Sequence, residues 1–371
     1  MSVSTPPYRA AIVGTGRIGS LLERDPLRTR PHTHAGWYTA DDRTRLVAGA
    51  DLDAARLESF GDDWSIASEH LYADYRLLLE RERPDIVSIC AYAADRVAMC
   101  RAALAAGARG LWIEKAVACT VEEADLLARD LADAGAAAVV DHPRRLDARH
   151  RAVARWIREE TFGRLESVHV LFSGHVVHTG THAWDLLLAW CGPWASVDAT
   201  LDTAAHEAAA TSDGHQRDET DAARYAGALR DGVIDRGGRA RILFENGVEA
   251  FVTGGAKQYF VFQCDLVCAG GRIRIGNDVF EVLAPAESPR YSGYRELAPI
   301  DPSECMLAED RRPGSVLGEL LASMCTGASS ALSVDSATRA LALGIAVMQS
   351  GLTGRTVTPA TLDRSLRVAS V

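Results

Sequence analysis

The chain has 371 residues and a mass of 39.9 kDa, and at about 150 residues per domain this length predicts two domains. Hydrophobic residues make up 47% and charged residues 24% of the chain, which is typical of globular proteins and excludes disorder throughout. The formal charge of -10 repels phosphate groups, so nucleic acid and anionic membrane surfaces are not expected as partners.

Two features of the sequence indicate a cellular compartment. The first residues lead into a strand-like segment without the pattern of a signal peptide, and no stretch of about 20 apolar residues follows. The eight cysteines are scattered, with no CxxC pair and no spacing typical of a disulfide framework. We therefore expect a cytoplasmic protein that makes no membrane contact.

The first predicted strand ends in a glycine-rich turn. Residues 9–13 form a short apolar run that leads into GTGRIG, and the helix-like sequence SLLERD follows. In such a unit Gly14 permits a tight turn, Gly16 exposes backbone to a pyrophosphate, and Gly19 lets the helix pack on the strand. The pyrophosphate would lie at the N-terminus of that helix. We predict that five residues of this turn bind a dinucleotide: Gly14, Gly16, Arg17, Ile18 and Gly19.

The second predicted strand ends in acidic residues. The segment RLVAGADLD is apolar over residues 46–50 and then carries Asp51 and Asp53. A carboxylate here accepts hydrogen bonds from ribose hydroxyls and repels a 2′-phosphate, so Asp51 favours NAD over NADP; a solvated loop end is the alternative. Gly19 and Asp51 are 32 residues apart rather than about 20. We assign the excess to a surface excursion, RDPLRTRPHTHAG, within or after the first helix.

Strands and helices alternate regularly up to residue 141. We predict helices over residues 74–83, 96–106 and 121–134, and strands over residues 85–92, 110–116 and 136–142. This alternation is typical of a doubly wound parallel sheet and predicts a Rossmann domain over residues 1–141. Ligands bind at the carboxyl ends of such strands, so Ala91 and Glu114 are predicted cofactor contacts. Three segments should lie near the nicotinamide: residues 91–95, 114–116 and 141–145.

The rest of the chain predicts an α+β domain over residues 142–371. Helical patterns cover residues 149–165, with Gly163 as a stop signal, and residues 181–193, 316–325 and 336–350. Strand patterns cover residues 167–174, 240–254, 259–270 and 271–283. Turn residues between the later strands favour a large, mostly antiparallel sheet. Residues 203–238 carry little periodicity and are expected to form a mobile loop.

Lysine is scarce in this chain. Lys115 and Lys257 are the only lysines, so arginine supplies the other 38 of the 40 basic residues. Mutational bias accounts for most of this imbalance. A lysine ammonium is nevertheless compact and has a tunable pKa, which arginine does not offer. Its position after a predicted strand makes Lys115 a candidate for chemistry.

Four motifs in order carry a family resemblance. The turn GTGRIG with Asp51, the pair Glu114-Lys115, the run HTGTHAWD and the closing SGLTGRTVTP together resemble the glucose–fructose oxidoreductase / inositol dehydrogenase (Gfo/Idh/MocA) family. The resemblance implies an NAD-dependent oxidoreductase that moves hydride to or from a secondary alcohol or ketone of a sugar, cyclitol or related polyol. It also implies a homo-oligomer, a dimer or tetramer, formed through the C-terminal sheet.

The resemblance also implies roles for individual residues. The family's Glu-Lys-Pro motif falls on Glu114, Lys115 and Ala116, and its lysine touches the reacting hydroxyl and the nicotinamide ribose. Because Ala116 replaces the proline, and a cis bond without proline costs about 3–4 kcal/mol, we expect a trans peptide and a differently set loop. A Lys115 ammonium would stabilise a developing alkoxide or polarise a carbonyl.

The family's DxGxHxxD motif falls on the second domain. It implies that His182 is the general acid/base and that Asp185 helps to hold the substrate, and an imidazole does exchange its proton near neutral pH. His178 replaces the motif's first carboxylate. It either shares the proton transfer with His182 or is structural, and we predict it as catalytic.

The sequence also offers further candidate substrate contacts and alternative functions. Arg145 and Lys257 are predicted substrate contacts, with surface roles as the alternative. A metal site of His178, His182 and Asp185 is disfavoured because Gly180 interrupts the helix, and we predict no metal. Alternative functions are a redox-assisted NAD-dependent glycosidase or lyase, which forms no net NADH, and a non-catalytic NAD-sensing protein.

Overall fold

The computed structural model describes residues 7–202, 232–312 and 314–369. The chain divides into two compact units. The first comprises Met1–Asp141 and Ser315–Ala337, and the second comprises His142–Gly314 and Thr338–Val371. The sequence prediction assigned everything after residue 141 to the second domain, whereas Ser315–Ala337 here belongs to the first unit.

A six-stranded parallel sheet forms the centre of the first unit. Its strands are β1 (Tyr8–Val13), β2 (Thr44–Ala50), β3 (Leu71–Tyr72), β4 (Ile86–Ile89), β5 (Gly110–Ile113) and β6 (Ala137–Val140). Their order is β3-β2-β1-β4-β5-β6. Every residue of β4 and β5 is buried, which explains their continuous apolar sequences. The order reverses between β1 and β4, and ligands of doubly wound sheets bind at such a reversal.

Helices surround this sheet as the alternating pattern predicts. They are α1 (His34–Ala40), α2 (Ala54–Trp64), α3 (Tyr75–Glu82), α4 (Ala93–Ala105) and α5 (Val121–Ala134). Helix α5 has the bounds predicted from sequence because both of its ends carry local signals. The Thr120 side chain accepts a hydrogen bond from the backbone of Glu123, and Gly135 ends the helix in a left-handed conformation. The sequence analysis missed α2 and β3.

The predicted helix directly after the glycine-rich turn was wrong. Residues Leu21–Arg24 form one short 3-10 turn, and the α-helix begins only at His34. The N–H groups of His34 and Ala35 donate to the carbonyl oxygens of Ile18 and Gly19, each at 3.1 Å. Helix α1 is thus hydrogen-bonded directly to the glycine-rich turn. Residues 20–33 are an insertion between this turn and α1.

The free N–H groups at the N-terminus of α1 are hydrogen-bonded to other groups of the protein. After His34 and Ala35, the next N–H groups of the helix donate to the side chain and the carbonyl oxygen of Thr33. The Glu23 carboxylate in turn accepts from the backbone N–H and the hydroxyl of Thr33, both at 2.8 Å. All four N–H groups of the first turn of α1 therefore already have acceptors within the protein. The predicted pyrophosphate position, at the start of the segment directly after the glycine-rich turn, stays a prediction.

An eight-stranded sheet forms the second unit. Its strands are β7 (Leu165–Ser173), β8 (Trp194–Leu201), β10 (Gly238–Phe244), β11 (Glu249–Gly255), β12 (Phe262–Cys268), β13 (Gly271–Gly276), β14 (Phe280–Glu287) and β15 (Arg295–Ile300). Their order is β15-β14-β13-β12-β7-β11-β10-β8. Only β7 and β11 pair in parallel within this sheet. The predicted mostly antiparallel sheet is confirmed, although β8 and β15 were missed.

The later helices are α6 (Ala148–Arg158), α7 (Thr181–Cys191), α8 (Val316–Thr326) and α9 (Val334–Thr353). Helix α6 ends five residues before the predicted stop at Gly163. The backbone of Glu160 already adopts a positive φ of 50°, and the N–H of Thr161 turns back to the carbonyl of Trp156. A local turn therefore ends the helix before the glycine does.

A mobile loop was predicted over residues 203–238. Positions 203–231 of this prediction lie outside the described residues. The remainder is ordered by pairing, since β9 (Val233–Ile234) lies parallel to β16 (Val368–Ala369). The expectation of a loop was wrong for this part.

Two further observations concern the helices and the cysteines of the described residues. In the described part of the chain, no helix is both long and apolar enough to cross a membrane. All eight cysteines lie in the described ranges, and each is a free thiol.

Candidate active site

The cofactor side of the site lies at one edge of the parallel sheet. The glycine-rich turn follows β1, Ala91 lies two residues after β4, and Glu114 follows β5 directly. A Cβ added to Gly14 would lie 2.8 Å from the carbonyl carbon of Cys90 and 3.0 Å from the nitrogen of Ala91. The structure thus brings the turn and the Ala91 segment together, as the carboxyl ends of parallel strands should be.

The glycines of the turn do different things. Gly14 has a φ of +94°, and a side chain there would overlap the backbone after β4. A side chain at Gly19 would overlap the carbonyl oxygen of Gly14. At Gly16, by contrast, an added Cβ meets nothing within 4 Å. The backbone at Gly16 therefore faces open space. A pyrophosphate could approach the main chain closely here because no side chain is in the way.

Asp51 is tied to the same turn. One of its carboxylate oxygens accepts from the backbone N–H of Thr15 at 2.9 Å, and the other accepts from the N–H of Asp53 at 3.0 Å. A carboxylate oxygen has two lone pairs, so capacity for further hydrogen bonds remains. Asp53 caps α2 through the N–H groups of Ala55 and Arg56.

Lys115 lies on a turn held by a buried arginine. The peptide bond between Lys115 and Ala116 is cis, so the expected trans bond was wrong. The Arg96 guanidinium, 5% exposed, donates to the carbonyl oxygens of Ala116 and Ala91 and fixes their orientation. Sequence reasoning missed Arg96; its signal was a charged residue on the buried face of α4, one turn before Cys100.

Glu114 is the acceptor at the centre of a polar cluster. Its carboxylate lies 3.4 Å from His34 Nε2 and accepts from the backbone N–H of Lys115 at 3.2 Å. His34 Nδ1 lies 2.8 Å from Ser88 Oγ, which lies 2.8 Å from the Tyr38 hydroxyl. Glu114 is 7% exposed, so the predicted cofactor contact is enclosed by protein groups.

Asp141 completes this cluster from the end of β6. The indole N–H of Trp112 donates to Asp141 Oδ1 at 3.2 Å, and the Trp112 ring lies 3.8 Å from the His34 ring. Ligand atoms of His34, Glu114 and Asp141 all lie within 4.8 Å of one another. This is the one group with metal-ligand spacing among the described residues. The residues of the alternative metal site, His178 with its two partners, form no such group there.

Burial and neighbouring charges together shift the pKa values of the cluster. It lowers the pKa of His34, which favours the neutral ring. Burial together with the Glu114 charge raises the pKa of Asp141 well above its usual range. For Glu114 burial acts in the opposite direction to its neighbours, and the hydrogen bond from His34 and the charges of Lys115 and Arg96 win, so that the pKa is lowered.

His182 lies at the start of α7 in the second unit. Its ring is half-buried and meets the ring of His142 edge-on at 5.6 Å and that of Phe262 at 6.5 Å. His142 is 2% exposed, and its Nε2 lies 3.0 Å from the Thr181 hydroxyl. The structure thus adds His142, which sequence reasoning did not single out, to the surroundings of His182.

Asp185 forms a buried ion pair. Arg145 Nη1 donates to its carboxylate at 3.1 Å, and His142 Nδ1 lies 4.0 Å away. Asp185 is 2% exposed. The structure brings Asp185 and Arg145 together, and the contacts account for the charge of both side chains inside the protein. Their roles toward a substrate stay predictions.

A carboxylate from outside the motif holds the loop that carries His178. Asp235 accepts from the backbone N–H groups of Val177 at 2.9 Å and of His178 at 2.7 Å, and it is 2% exposed. Position 178 lacks the carboxylate of the family motif, and Asp235 binds the main chain of the same loop. Sequence reasoning missed Asp235 because it lies in a stretch without periodicity.

Lys257 lies apart from these contacts. It follows β11 by two residues, in a segment where Tyr259 and Phe260 are 59% and 62% exposed. No hydrogen bond or ion pair links Lys257 to His182 or Asp185 within the described ranges. The guanidinium carbon of Arg144 instead lies 4.0 Å above the Phe262 ring.

The first unit matches a known protein family. Residues 8–142 match the model of an oxidoreductase family with an NAD-binding Rossmann fold, Gfo/Idh/MocA. No curated protein matches the chain.

Solved structures match over nearly the whole chain. An aldose-aldose oxidoreductase from Caulobacter crescentus is 16% identical, with 95% of this chain and 99% of that chain covered and a TM-score of 0.72. An NAD-binding protein from Listeria innocua is 20% identical, with 95% and 96% covered and a TM-score of 0.70. The WlbA dehydrogenase from Bordetella pertussis, crystallised with NADH and UDP-GlcNAcA, is 16% identical, with 95% and 98% covered and a TM-score of 0.69.

At these identities the structural likeness establishes the fold of both units. The family match over residues 8–142 adds the cofactor, NAD, and the class of chemistry. The comparisons thus support an NAD-dependent dehydrogenase or reductase whose residues 8–142 match the Rossmann domain of the Gfo/Idh/MocA family.

Proposed function

We propose that this protein transfers a hydride between NAD and a secondary alcohol or ketone of a sugar, cyclitol or related polyol. The observation that carries the proposal is the shared sheet edge, where the open backbone at Gly16 and the Lys115 turn follow strands of one parallel sheet. An ammonium at that edge suits an oxygen that gains negative charge.

The residues of the first unit fit the cofactor. The Gly16 turn would hold the pyrophosphate, and Asp51 has capacity left for the ribose hydroxyls. NAD, when bound, supplies the acceptor or donor of the hydride. The protein's own task is then to orient the substrate carbon and to move one proton.

We assign proton transfer to Lys115 and His182. In the oxidation direction a base must take the hydroxyl proton, and His182 has the side chain that exchanges a proton near neutral pH. The role assigned to the Lys115 ammonium is to donate a hydrogen bond to an oxygen that gains negative charge and to stabilise that charge. The His142 ring lies edge-on to the His182 ring, and the Asp185–Arg145 ion pair joins α7 to the short turn before α6.

A substrate panel tests this function. Purified protein is mixed with NAD and a set of polyols, cyclitols and sugars, and in the reverse direction with NADH and keto-sugars, while nicotinamide absorbance is followed. We expect net NADH formation with at least one secondary alcohol. Bond cleavage without net NADH would instead support the glycosidase or lyase alternative, and NAD binding without any turnover would support an NAD-sensing role.

We also propose a cytoplasmic homo-oligomer. The eight free thiols suit a reducing compartment. The family resemblance implies that the eight-stranded sheet forms the contact between subunits. Light scattering during size-exclusion chromatography should give a dimer or tetramer; a monomer would contradict it.

A further inference from the structure

One arginine of the second unit has no carboxylate partner. Arg144 lies in the short turn before α6, and its guanidinium carbon lies 4.0 Å from the centre of the Phe262 ring. Its one hydrogen bond to a described residue goes to Asn277 Oδ1 at 3.3 Å. No carboxylate of the described ranges forms an ion pair with it. Most of the five N–H donors of this guanidinium therefore remain for water or a ligand.

The next residue, Arg145, shows the contrast. Arg145 donates to the buried Asp185 at 3.1 Å, so two charges balance each other inside the protein. Arg144 is half-buried, and burial lowers its pKa to about 10, which leaves it cationic at neutral pH. Asp147 acts on Arg144 only from beyond ion-pair distance, since it caps α6 and pairs with Arg149. A partly desolvated cation without an anion beside it is costly, and a bound anion would offset that cost.

Phe262 and Asn277 hold the guanidinium in place. Phe262 begins β12 and is 1% exposed, and Asn277 follows β13 directly. The main chain joins these two residues as well, because the N–H of Asn277 donates to the carbonyl oxygen of Phe262 at 3.1 Å. A guanidinium over an aromatic ring keeps N–H groups for a carboxylate or a phosphate, and it binds either group through two parallel hydrogen bonds.

The same phenyl ring lies against the candidate base. The His182 ring meets the Phe262 ring edge-on at 6.5 Å. The separation of the Arg144 guanidinium carbon and the centre of the His182 ring therefore cannot exceed the sum of the two distances to Phe262. A uronate or a sugar phosphate that forms a hydrogen bond at each of its ends spans such a length.

The carboxylates near His182 contact other groups of the protein. Asp185 pairs with Arg145, and Asp235 accepts from two main-chain N–H groups of the loop before α7. Position 178 has an imidazole where the family motif has a carboxylate. An anionic ligand therefore meets less repulsion here than the carboxylate of that motif would give.

We propose that the substrate of this site carries a carboxylate or phosphate group and that Arg144 binds this group. The inference rests on the proposed function, which places the reacting hydroxyl at His182. The substrate class is then an acidic derivative of a sugar or cyclitol, such as a uronate or a sugar phosphate. Arg144 selects the substrate and takes no part in the proton transfer.

Matched pairs of compounds test the substrate class. Glucose is compared with glucuronate and glucose 6-phosphate, and myo-inositol with its monophosphate, while NADH formation is followed at saturating NAD. We expect kcat/KM to be at least tenfold higher for an acidic compound than for its neutral partner, and high salt should reduce this ratio by screening the charges. The two kinds of acid show which anion the site prefers. Neutral compounds that equal or exceed every acidic partner refute the proposal.

Substitution of Arg144 tests the residue. Arg144→Met keeps an unbranched side chain over Phe262 but removes the charge. We expect kcat/KM for acidic compounds to fall at least tenfold, mainly through KM, and kcat/KM for neutral compounds to stay within threefold of wild type. Arg144→Lys keeps a charge without the planar fork and should restore only part of the loss.

Arg149→Met is the matched control. It removes the same charge from a neighbouring arginine that Asp147 already pairs, so kcat/KM for acidic compounds should stay within twofold of wild type. Equal losses in Arg144→Met and Arg149→Met would refute the role of Arg144. Equal losses for acidic and neutral compounds in Arg144→Met would refute it as well.

Calorimetry separates this inference from the proposed function. The wild-type protein with NAD is titrated with glucuronate, glucose 6-phosphate and glucose. If Arg144→Met weakens binding of an acidic compound at least tenfold, the anion contact is supported, and if no compound is oxidised, only the proposed function fails. Turnover of neutral polyols that Arg144→Met leaves unchanged, without any binding of the acidic compounds, refutes the anion contact and leaves the proposed function standing. An absence of both binding and turnover for every acidic compound also refutes the anion contact.

Discussion

The Lys115 turn and the His182 end of α7 are built in different ways. Around Lys115 the contacts come from the ends of neighbouring parallel strands and the helices that follow them, with Arg96 and Glu114 buried beneath the turn. Around His182 the contacts come from distant parts of the chain, with His142 about 40 residues before it and Asp235 more than 50 residues after it. The first kind of site follows from topology, and the second depends on individual side chains.

Substitution of Lys115 should have the largest effect on activity. We expect Lys115→Ala to lower kcat on the order of 100-fold, because one preorganised donor to the reacting oxygen is lost, while NAD affinity stays nearly unchanged. Lys115→Arg should not restore activity, since a planar guanidinium does not replace a compact ammonium. Steady-state kinetics check both; turnover within threefold of wild type in either variant would contradict the role.

Around His182, substitution of the supporting residue Asp235 should lower the stability of the protein. Asp235→Ala leaves the N–H groups of Val177 and His178 without their acceptor, and a buried donor without a partner costs about 1–3 kcal/mol. Chemical denaturation should show a loss of unfolding free energy in this range. Asp235→Asn keeps one acceptor oxygen and is the matched control, with a smaller loss expected. An Asp235→Ala protein as stable as wild type would mean that the loop is held by other contacts.

The first unit should bind NAD more tightly than NADP. Because the Asp51 carboxylate lies against the turn through Thr15, we expect NAD to bind at least tenfold more tightly than NADP, a difference of about 1.4 kcal/mol. Calorimetric titration of both dinucleotides measures it. Asp51→Ala should narrow the gap, and equal or reversed affinities in the wild type would contradict the prediction.

His178 gives the smallest expected effect. His178→Asp restores the carboxylate of the family motif, and an anion near His182 would stabilise its protonated form. The pKa of His182 would then rise, and the acid limb of the kcat profile would move to higher pH by up to about 1 unit. If His178→Ala is fully active with an unchanged profile, His178 is structural.

The sequence predicted the first unit in most respects because its rules are local. Apolar runs, glycines and caps such as Thr120 identify strands, turns and helix ends within a few residues. Once parallel strands are recognised, their carboxyl ends must share an edge, so Gly14, Ala91 and Glu114 could be placed together.

The parts that failed depend on contacts between distant residues. The insertion of residues 20–33 moved the start of α1 to His34, and no local pattern relates that histidine to Glu114, 80 residues later. The cis bond before Ala116 lies where Arg96 binds the carbonyl. Asp235 supports the His178 loop from a stretch that carries no pattern at all.

Isotope transfer tests the central claim most directly. Secondary alcohols from the polyol panel, labelled with deuterium on the carbinol carbon, are incubated with the protein and NAD, and the nicotinamide is analysed by mass spectrometry. Deuterium should appear in NADH with the wild type and be lost to a large extent in Lys115→Ala. If NAD binds but no labelled alcohol passes deuterium to the nicotinamide, this protein is not the polyol oxidoreductase proposed above.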